Sequence, residues 1–466
     1  IMPVKRFHLF AALSLLGSFA LCPAAPAETL QEAVQRTIES NPDVRAVAHN
    51  RLARDQEVKQ ARSGFFPTAD LEAGAGKDYV EKPFDDDLEP WQVRLGLRQN
   101  LFTGFATMNE VDRQKARVQS GAWEVRSTTD NTALKTSEVY LEVLKNEAIL
   151  ALARENLTLH ERIADQIRLR SESGVDRRAD NDQIQSRLNL ARSNVVVTEQ
   201  NLLDAQTNYL AVVSHMPAQL SRPEIDEHLL PASLEEAEEQ ALAAHPQLRS
   251  ANADIEARRK QDEVAKSPFM PTVDFELDQL YEEDTNYSSY YDEDKEREDL
   301  RLFLRLRYNL FNGWKDVARK QETFELVNEA QEIRNHTHRQ VIESIRLSWR
   351  AHEAAKKKVE YLRQRQQFAA ATASAYTKQW NIGERTLLDV LDAEAERIDA
   401  ARQLTTAEYE GLYAHFRVLN GTGRLIPALQ LAWPEEGAVD EEEAPARAEE
   451  PQPEPTRVSM NTIKIQ

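Results

Sequence analysis

Cysteine is almost missing from this chain: Cys22 is the only one in 466 residues, so no disulfide within the chain can staple any part of the fold. Long apolar runs are equally scarce. The main one, Phe7 to Leu21, follows Lys5 and Arg6 and leads to Ala25-Pro26-Ala27, the layout of an export leader. Cleavage before Glu28 is expected, making 1–27 a signal peptide. It would also remove Cys22, which Leu21 makes a poor lipoprotein site. An uncleaved anchor is the alternative, for which the stretch is short. After residue 28 nothing approaches the roughly 20 apolar residues of a spanning helix, so any bilayer crossing must use strands.

Positive charge is in deficit. There are 58 Lys and Arg against 78 Asp and Glu, for a net charge of -20 and a pI of about 5.1, which argues against nucleic-acid partners. Catalytic constellations are lacking too. His336 and His338, two apart on a helix, share no face, and His49, His160, His215, His245, His352 and His415 have no metal-ligand spacing. No nucleophile elbow or Gly-rich nucleotide loop with Lys-Ser/Thr is present. The chain therefore reads as a non-enzyme without cofactor or resident metal.

What is present is a long repeat. Leu30, Glu32, Pro42, Arg45, Phe65, Pro67, Thr68, Asp70 and Glu72 return 204 positions later as Leu234, Glu236, Pro246, Arg249, Phe269, Pro271, Thr272, Asp274 and Glu276. After a five-residue insertion, Asn100-Leu101-Phe102-x-Gly104 is matched by Asn309-Leu310-Phe311-x-Gly313, and Gly174 by Gly383. Two repeats, 28–232 and 233–433, are expected. Each would hold a helix, a β-hairpin (68–102 or 272–311), a long helix and a return helix.

Two tracts carry the strand signal. In 299–311, Leu300, Leu302, Leu304, Leu306, Tyr308 and Leu310 alternate with Arg301, Arg305, Arg307 and Asn309. In 91–101, Trp91, Val93, Leu95, Leu97 and Leu101 alternate with Gln92, Arg94, Arg98 and Asn100. This period of two over about 10 residues fits a transmembrane strand with one lipid face and one charged lumen face. In the preceding strands Leu71, Ala73, Ala75 and Tyr79 oppose Asp70, Glu72 and Asp78, while Val273, Phe275, Leu277 and Tyr281 oppose Asp274, Glu276 and Asp278. Acidic faces beside arginine-rich ones predict charge pairing across a wet lumen, with polar external loops at 81–90 and 282–298. Soluble hairpins with one buried face are the alternative. Four strands cannot close a barrel, so subunits must share one: two copies give eight strands, three give twelve.

Gly104 to Gly174 contains no proline and one internal glycine, Gly121; Gly313 to Gly383 contains neither. Each tract predicts a helix of up to about 100 Å. Shorter helices are expected to return near 176–214 and 386–420, and others, about 30–63 and 234–266, precede the strands. Narrow, alanine-rich apolar stripes suit helix seams more than a thick core. A periplasmic coiled-coil structural protein without a pore is the reading from another functional class. After Pro434, the acidic Pro/Glu-rich 434–466 segment is expected not to order itself.

The Asn/His-Pro helices, Phe-x-Pro strand entries, Asn-Leu-Phe-x-Gly exits and, above all, Gly383-Glu384-Arg385-Thr386-Leu387-Leu388-Asp389-Val390-Leu391-Asp392-Ala393 resemble the TolC family of outer-membrane channels, from Leu30 to about Gly423. The resemblance implies a mixed α/β membrane protein. It would be a homotrimer whose twelve-stranded β-barrel, four strands per chain, continues as a periplasmic α-helical barrel. Ser173, Gly174, Val175, Ile382, Gly383 and Glu384 become tips contacted by a periplasmic adaptor. Asp180, Trp380, Arg385, Asp389 and Asp392 become a gate network, with Asp389 and Asp392 binding cations at the entrance. An inner-membrane ABC or proton-driven transporter would supply energy. The implied function is an export outlet, for type I protein secretion first and multidrug or metal efflux as the alternative. A bare sequence reading of Asp389, Asp392 and Glu394 is a solvated helix stripe.

Overall fold

The computed structural model describes residues 27–80, 86–172, 178–285 and 296–439. The expected leader, the Ser173-Gly174-Val175 tip and residues 440–466 lie outside them. The described elements are α1 (Leu30–Ser40), α2 (Pro42–Ser63), β1 (Thr68–Ala75), β2 (Asp78–Val80), β3 (Asp86–Leu88), β4 (Trp91–Phe102), α3 (Ala106–Glu172), α4 (Arg178–Val213), α5 (Leu234–Ala244), α6 (Pro246–Ala265), β5 (Thr272–Glu283), β6 (Glu296–Arg307), α7 (Lys315–Asn381), α8 (Leu387–Gly421) and α9 (Leu425–Ala428). The long helices α3 and α7 each run for 67 residues.

Where the sequence suggests single helices at 30–63 and 234–266, the structure has two in each place. Pro42 and Pro246 lack the N–H that would continue the helix, and each instead begins a new one. Asn41 Oδ1 accepts from Asp43 N at 2.8 Å and from Val44 N at 3.3 Å. His245 Nδ1 accepts from Gln247 N at 3.3 Å. Burial pushes the His245 ring down to about 4, which keeps this nitrogen an acceptor.

The chain divides into two units. One comprises 41–134, 228–352 and 416–466 and holds the β-structure. Its main sheet is antiparallel, in the order β1-β4-β5-β6, with β2 and β3 forming a separate small hairpin. β4 pairs with β5 from Trp91 opposite Glu283 to Phe102 opposite Val273, with an irregularity between Asn100 and Phe102. The strand expected to run to Phe311 stops at Arg307. Just beyond, Asn309 Oδ1 accepts from Phe311 N at 3.1 Å, a local turn that competes with the ladder. Gly104 starts the turn into α3 with φ +61, and a β-carbon there would meet the Ser267 carbonyl oxygen at 2.6 Å, so the position requires glycine.

In the same unit the chain after α8 folds back onto α3. Asp130, 2% exposed, accepts from Asn420 Nδ2 at 2.9 Å and Ile426 N at 3.4 Å. Arg126, one turn earlier, donates from Nε to the Gly437 carbonyl at 2.6 Å and stacks between Trp123 and Trp433. Burial pushes the Asp130 carboxyl up to about 7 despite those two donors. The folded chain therefore holds this proton more tightly than the unfolded chain. The group's stabilisation is complete below about pH 4, declines as pH rises through about 7, and then stays level. Asp130→Asn is expected to flatten this dependence, recovering at pH 8 up to about 4 kcal/mol, an upper bound from the three-unit displacement. Urea unfolding at pH 5 and pH 8 checks it.

The other unit comprises 1–40, 135–227 and 353–415. Here α4 runs back beside α3, tied by Arg154 to Glu199 at 2.9 Å. α8 runs back beside α7, tied by Arg365 to Asp399 at 3.1 Å and Arg363 to Glu408 at 3.1 Å. Such exposed pairs are each worth about 0–1 kcal/mol, so the helices are held mainly by their buried apolar seams. Tyr140 and Tyr209 are fully buried in this unit, and the Tyr140 hydroxyl donates to the Glu28 carbonyl at 2.7 Å.

Candidate functional site

The sheet presents two chemically opposite faces. The register places Leu71, Val93, Leu95, Leu97, Phe275, Leu277, Leu300, Leu302, Leu304 and Leu306 on one side. Leu300, Leu302, Leu304 and Leu306 are 61–70% exposed. A row of leucines left this open is an apolar surface awaiting a solvent other than water. Trp91 stands at the β4 end of the same face and donates its indole N–H to Glu283 Oε2.

The opposite face is a charge ladder. Arg98 Nη2 donates to Asp274 at 2.9 Å, Arg305 to Glu276 at 2.8 Å, and Arg307 to Glu276 at 2.7 Å while lying 3.5 Å from Asp274. Arg301 bonds Asp299 of its own strand at 2.9 Å, and Arg94 sits opposite Leu280 of β5 and Glu72 of β1. Asp274 is 2% exposed beneath the two arginines. Acidic and basic side chains thus pair laterally, between neighbouring strands of one sheet. Two apolar residues sit on this charged face as well. Phe303 lies under Arg305, whose guanidinium is 5.5 Å from the ring, and Leu280 is buried.

The second group of candidate residues surrounds the turn from α7 to α8. Gly383, with φ +81, ends α7: its N–H donates to Trp380 O at 3.0 Å, and Glu384 N donates to Gln379 O at 2.9 Å. These two bonds form a Schellman cap, which needs a left-handed residue here. Thr386 and Asp389 then form a reciprocal cap on α8. The Asp389 carboxylate accepts from Thr386 N at 3.2 Å and its hydroxyl at 2.8 Å, while Asp389 N donates to Thr386 Oγ1 at 3.3 Å. The Thr386 hydroxyl and amide, then Arg385, hold the Asp389 carboxyl below its ordinary range.

The five residues read as a gate network are distributed differently from one another. Trp380, 8% exposed, belongs to a core with Ile163, Ile167, Ile184, Leu188 and Leu391. Arg385 lies over Tyr376, 4.2 Å from its ring, and bonds Gln379 at 3.1 Å. Asp392 accepts from Arg187 of α4 at 2.9 Å. Asp180 is half-buried in the first turn of α4. Tyr376 and Arg187 were not singled out from sequence. Tyr376 sits one turn before Trp380 and carries the same aromatic signal, whereas nothing in the periodicity points to Arg187. Among the described residues no group of three His, Cys, Asp or Glu side chains has metal-binding geometry, and no helix is long and apolar enough to cross a membrane.

An exposed leucine face backed by a charge ladder, in one chain with two 67-residue helices, fits the class of outer-membrane channel proteins. The outer membrane efflux protein model matches residues 33–212 and 238–423, and the chain belongs to that family, the TolC-type channels. The outer membrane efflux protein BepC of Brucella suis is 24% identical over 89% of this chain and 90% of its own. The proteases secretion protein PrtF of Dickeya chrysanthemi is 24% identical over 92% of this chain and 94% of its own. The Campylobacter jejuni CmeC outer membrane channel superposes with a TM-score of 0.74 at 12% identity, covering 85% of this chain and 86% of that one. The protein is an outer-membrane channel of the efflux and secretion type, with its long helices on the periplasmic side.

Proposed function

We propose that three copies of this chain form the outer-membrane exit duct of a tripartite export system. The observation that carries this reading is the segregation of the sheet into an exposed leucine face and a paired charged face, with β1 and β6 as its outer strands. Open strand edges are not tolerated in lipid, so β6 of one subunit pairs with β1 of the next, and four strands from each of three copies make twelve. Trp91, Val93, Leu95, Leu97, Leu300, Leu302, Leu304 and Leu306 then face lipid. Arg94, Arg98, Arg301, Arg305 and Arg307 line water, with Arg98, Arg305 and Arg307 compensated by Asp274 and Glu276 and Arg301 by Asp299.

The periplasmic entrance is the turn from α7 to α8. Ile382, Gly383 and Glu384, together with Ser173, Gly174 and Val175, take the adaptor. Asp180, Trp380, Arg385, Asp389 and Asp392 belong to the gated end, Trp380 through packing and Arg385 through its place on Tyr376. Passage is passive, and the inner-membrane transporter supplies the energy. Type I protein secretion is the preferred task, supported by the Gly383–Ala393 segment and by a relative named for protease secretion. Small-molecule or metal efflux is the second reading, supported by a relative named for efflux.

Planar-bilayer recording of the purified mature chain is expected to give long-lived steps of a single trimeric channel, and their absence would contradict the duct. For the task, removing the gene from its host is expected to deplete one or more large proteins from the culture medium. Unchanged medium with increased sensitivity to dyes or metal salts would select efflux.

A further inference from the structure

The internal repeat is also a repeat of strand pairing. From β1 to β5 it moves 204 positions and, past the five-residue insertion, 209 from β4 to β6. Under these two shifts the β1–β4 register becomes that of β5–β6: Thr68 opposite Arg98 maps to Thr272 opposite Arg307, and Asp70 opposite Gly96 to Asp274 opposite Arg305. The remaining pairing of the sheet, β4 with β5, has no counterpart within the chain, because its equivalent would join β6 to a second β1. Both of those strands are bare. Every residue of β1 is exposed, and every residue of β6 except Asp299, whereas β5, with a strand on each side, exposes only Tyr281. Among the described residues Asp70 and Glu72 hold no ion pair, although their equivalents Asp274 and Glu276 hold Arg98, Arg305 and Arg307. The strand ends follow the same rule. β4 continues past the last residue that β1 covers because β5 pairs with it there, Gln99 opposite Phe275, Asn100 opposite Asp274 and Phe102 opposite Val273. The equivalent tail of β6, residues 308–311, has no such neighbour and leaves the ladder after Arg307, with Tyr308, Leu310 and Phe311 52–85% exposed.

Resting on the duct reading above, we propose that β6 meets β1 of the partner subunit in the register of β4 with β5. Arg307 then stands opposite Glu72 of the partner subunit and reaches Asp70 of the partner subunit, as Arg98 stands opposite Glu276 and reaches Asp274 at 2.9 Å. A guanidinium carries five donors, so Arg307 serves this pair as well as Glu276 of its own chain, at 2.7 Å. On the outer face Leu306 and Leu304 stand opposite Ala73 and Ala75 of the partner subunit. Residues 308–311 extend β6 beside the partner's β1, as 99–102 extend β4 beside β5. The alternation of leucine and arginine excludes a slip of one residue, which would exchange the faces, but tolerates a slip of two. The repeated pairing selects one register from those that remain.

Paired cysteines read this register in the assembled protein, where Cys22, in the expected leader, gives no background. Ala73→Cys with Leu306→Cys is expected to form disulfides between subunits about tenfold faster than Leu71→Cys or Ala75→Cys with Leu306→Cys, because diagonal neighbours lie beyond disulfide reach. Each bond links one chain to the next, so denaturing gels without reductant should show covalent trimers. A second measurement needs no substitution. In the wild-type trimer the amides of 308–311 are expected to exchange with deuterium within about tenfold of those of 99–102. Fastest linkage by either shifted pair, linkage by none of the three in an intact trimer, or unprotected 308–311 amides there would overturn the register. A purified chain that forms no oligomer would instead remove the duct reading itself.

Discussion

Leu304→Arg is expected to abolish accumulation of the assembled protein in the outer membrane. Leu304 lies mid-strand in β6, on the leucine face and 70% exposed, so in the duct it meets hydrocarbon. An arginine at the midplane of a barrel's lipid face costs about 2–4 kcal/mol, and a trimer carries the change three times. Arg305 next to it already occupies the other face with Glu276, so a second arginine cannot borrow that partner without flipping the strand register. The measurement is the amount of heat-modifiable trimer in outer-membrane fractions. Leu304→Ala serves as the size control and should cost far less. A normal trimer yield in Leu304→Arg would mean that this face does not meet lipid.

Trp380→Ala is expected to produce the second large effect, by a different route. Its indole is 8% exposed among Ile163, Ile167, Ile184, Leu188, Val390 and Leu391. Truncating a buried aromatic costs about 3–5 kcal/mol, from the lost transfer energy and the cavity left behind. Thermal or urea unfolding should show this loss, and proteolysis near residues 381–387 should rise. Trp380→Phe keeps most of the buried ring and should lose much less. If Trp380 acted instead as a surface partner of Arg385, both variants would alter channel opening equally with little change in stability. Tyr376, over which Arg385 lies, packs against the rim of the same core, so Tyr376→Ala should act on the proposed gate and cost less stability than Trp380→Ala.

The strands were legible because burial and solvation both act with period two. Leu300 to Leu306 and Arg301 to Arg307 could be sorted to opposite faces from spacing alone, and the acidic residues of β5 were recognisable as their counter-charges. The lengths of α3 and α7 followed from missing breakers, whereas the splits at Pro42 and Pro246 were not anticipated, although each proline lacks the N–H that would continue the preceding helix. Strand ends were less visible. Tyr308 to Phe311 continue the alternation of β6, yet the Asn309 side chain bonds the backbone there and the ladder stops.

The proposed entrance was only half legible for a physical reason. Local devices such as the Gly383 cap and the Thr386–Asp389 box depend on neighbours in sequence, and their residue types announce them. The Arg187–Asp392 pair joins residues 205 positions apart, and no local pattern records which arginine of α4 turns toward α8. Tyr376 and Trp380 are one helical turn apart, so both approach the same end of α7. Which of them meets Arg385 is decided by how the chain reverses at Gly383 and by which aromatic the Ile167–Ile184 core has room to bury.

A spin label tests the wall most directly. Cys22 lies in the expected leader, so a cysteine placed at position 304 of the processed chain is the only one to react. In the protein reconstituted into vesicles, a label at 304 should be relaxed strongly by oxygen and weakly by a water-soluble nickel chelate, with the reverse order at 305. A label at 304 shielded from both reagents, or relaxed mainly by the chelate, would place the leucine face in a protein core or in water and would contradict the duct.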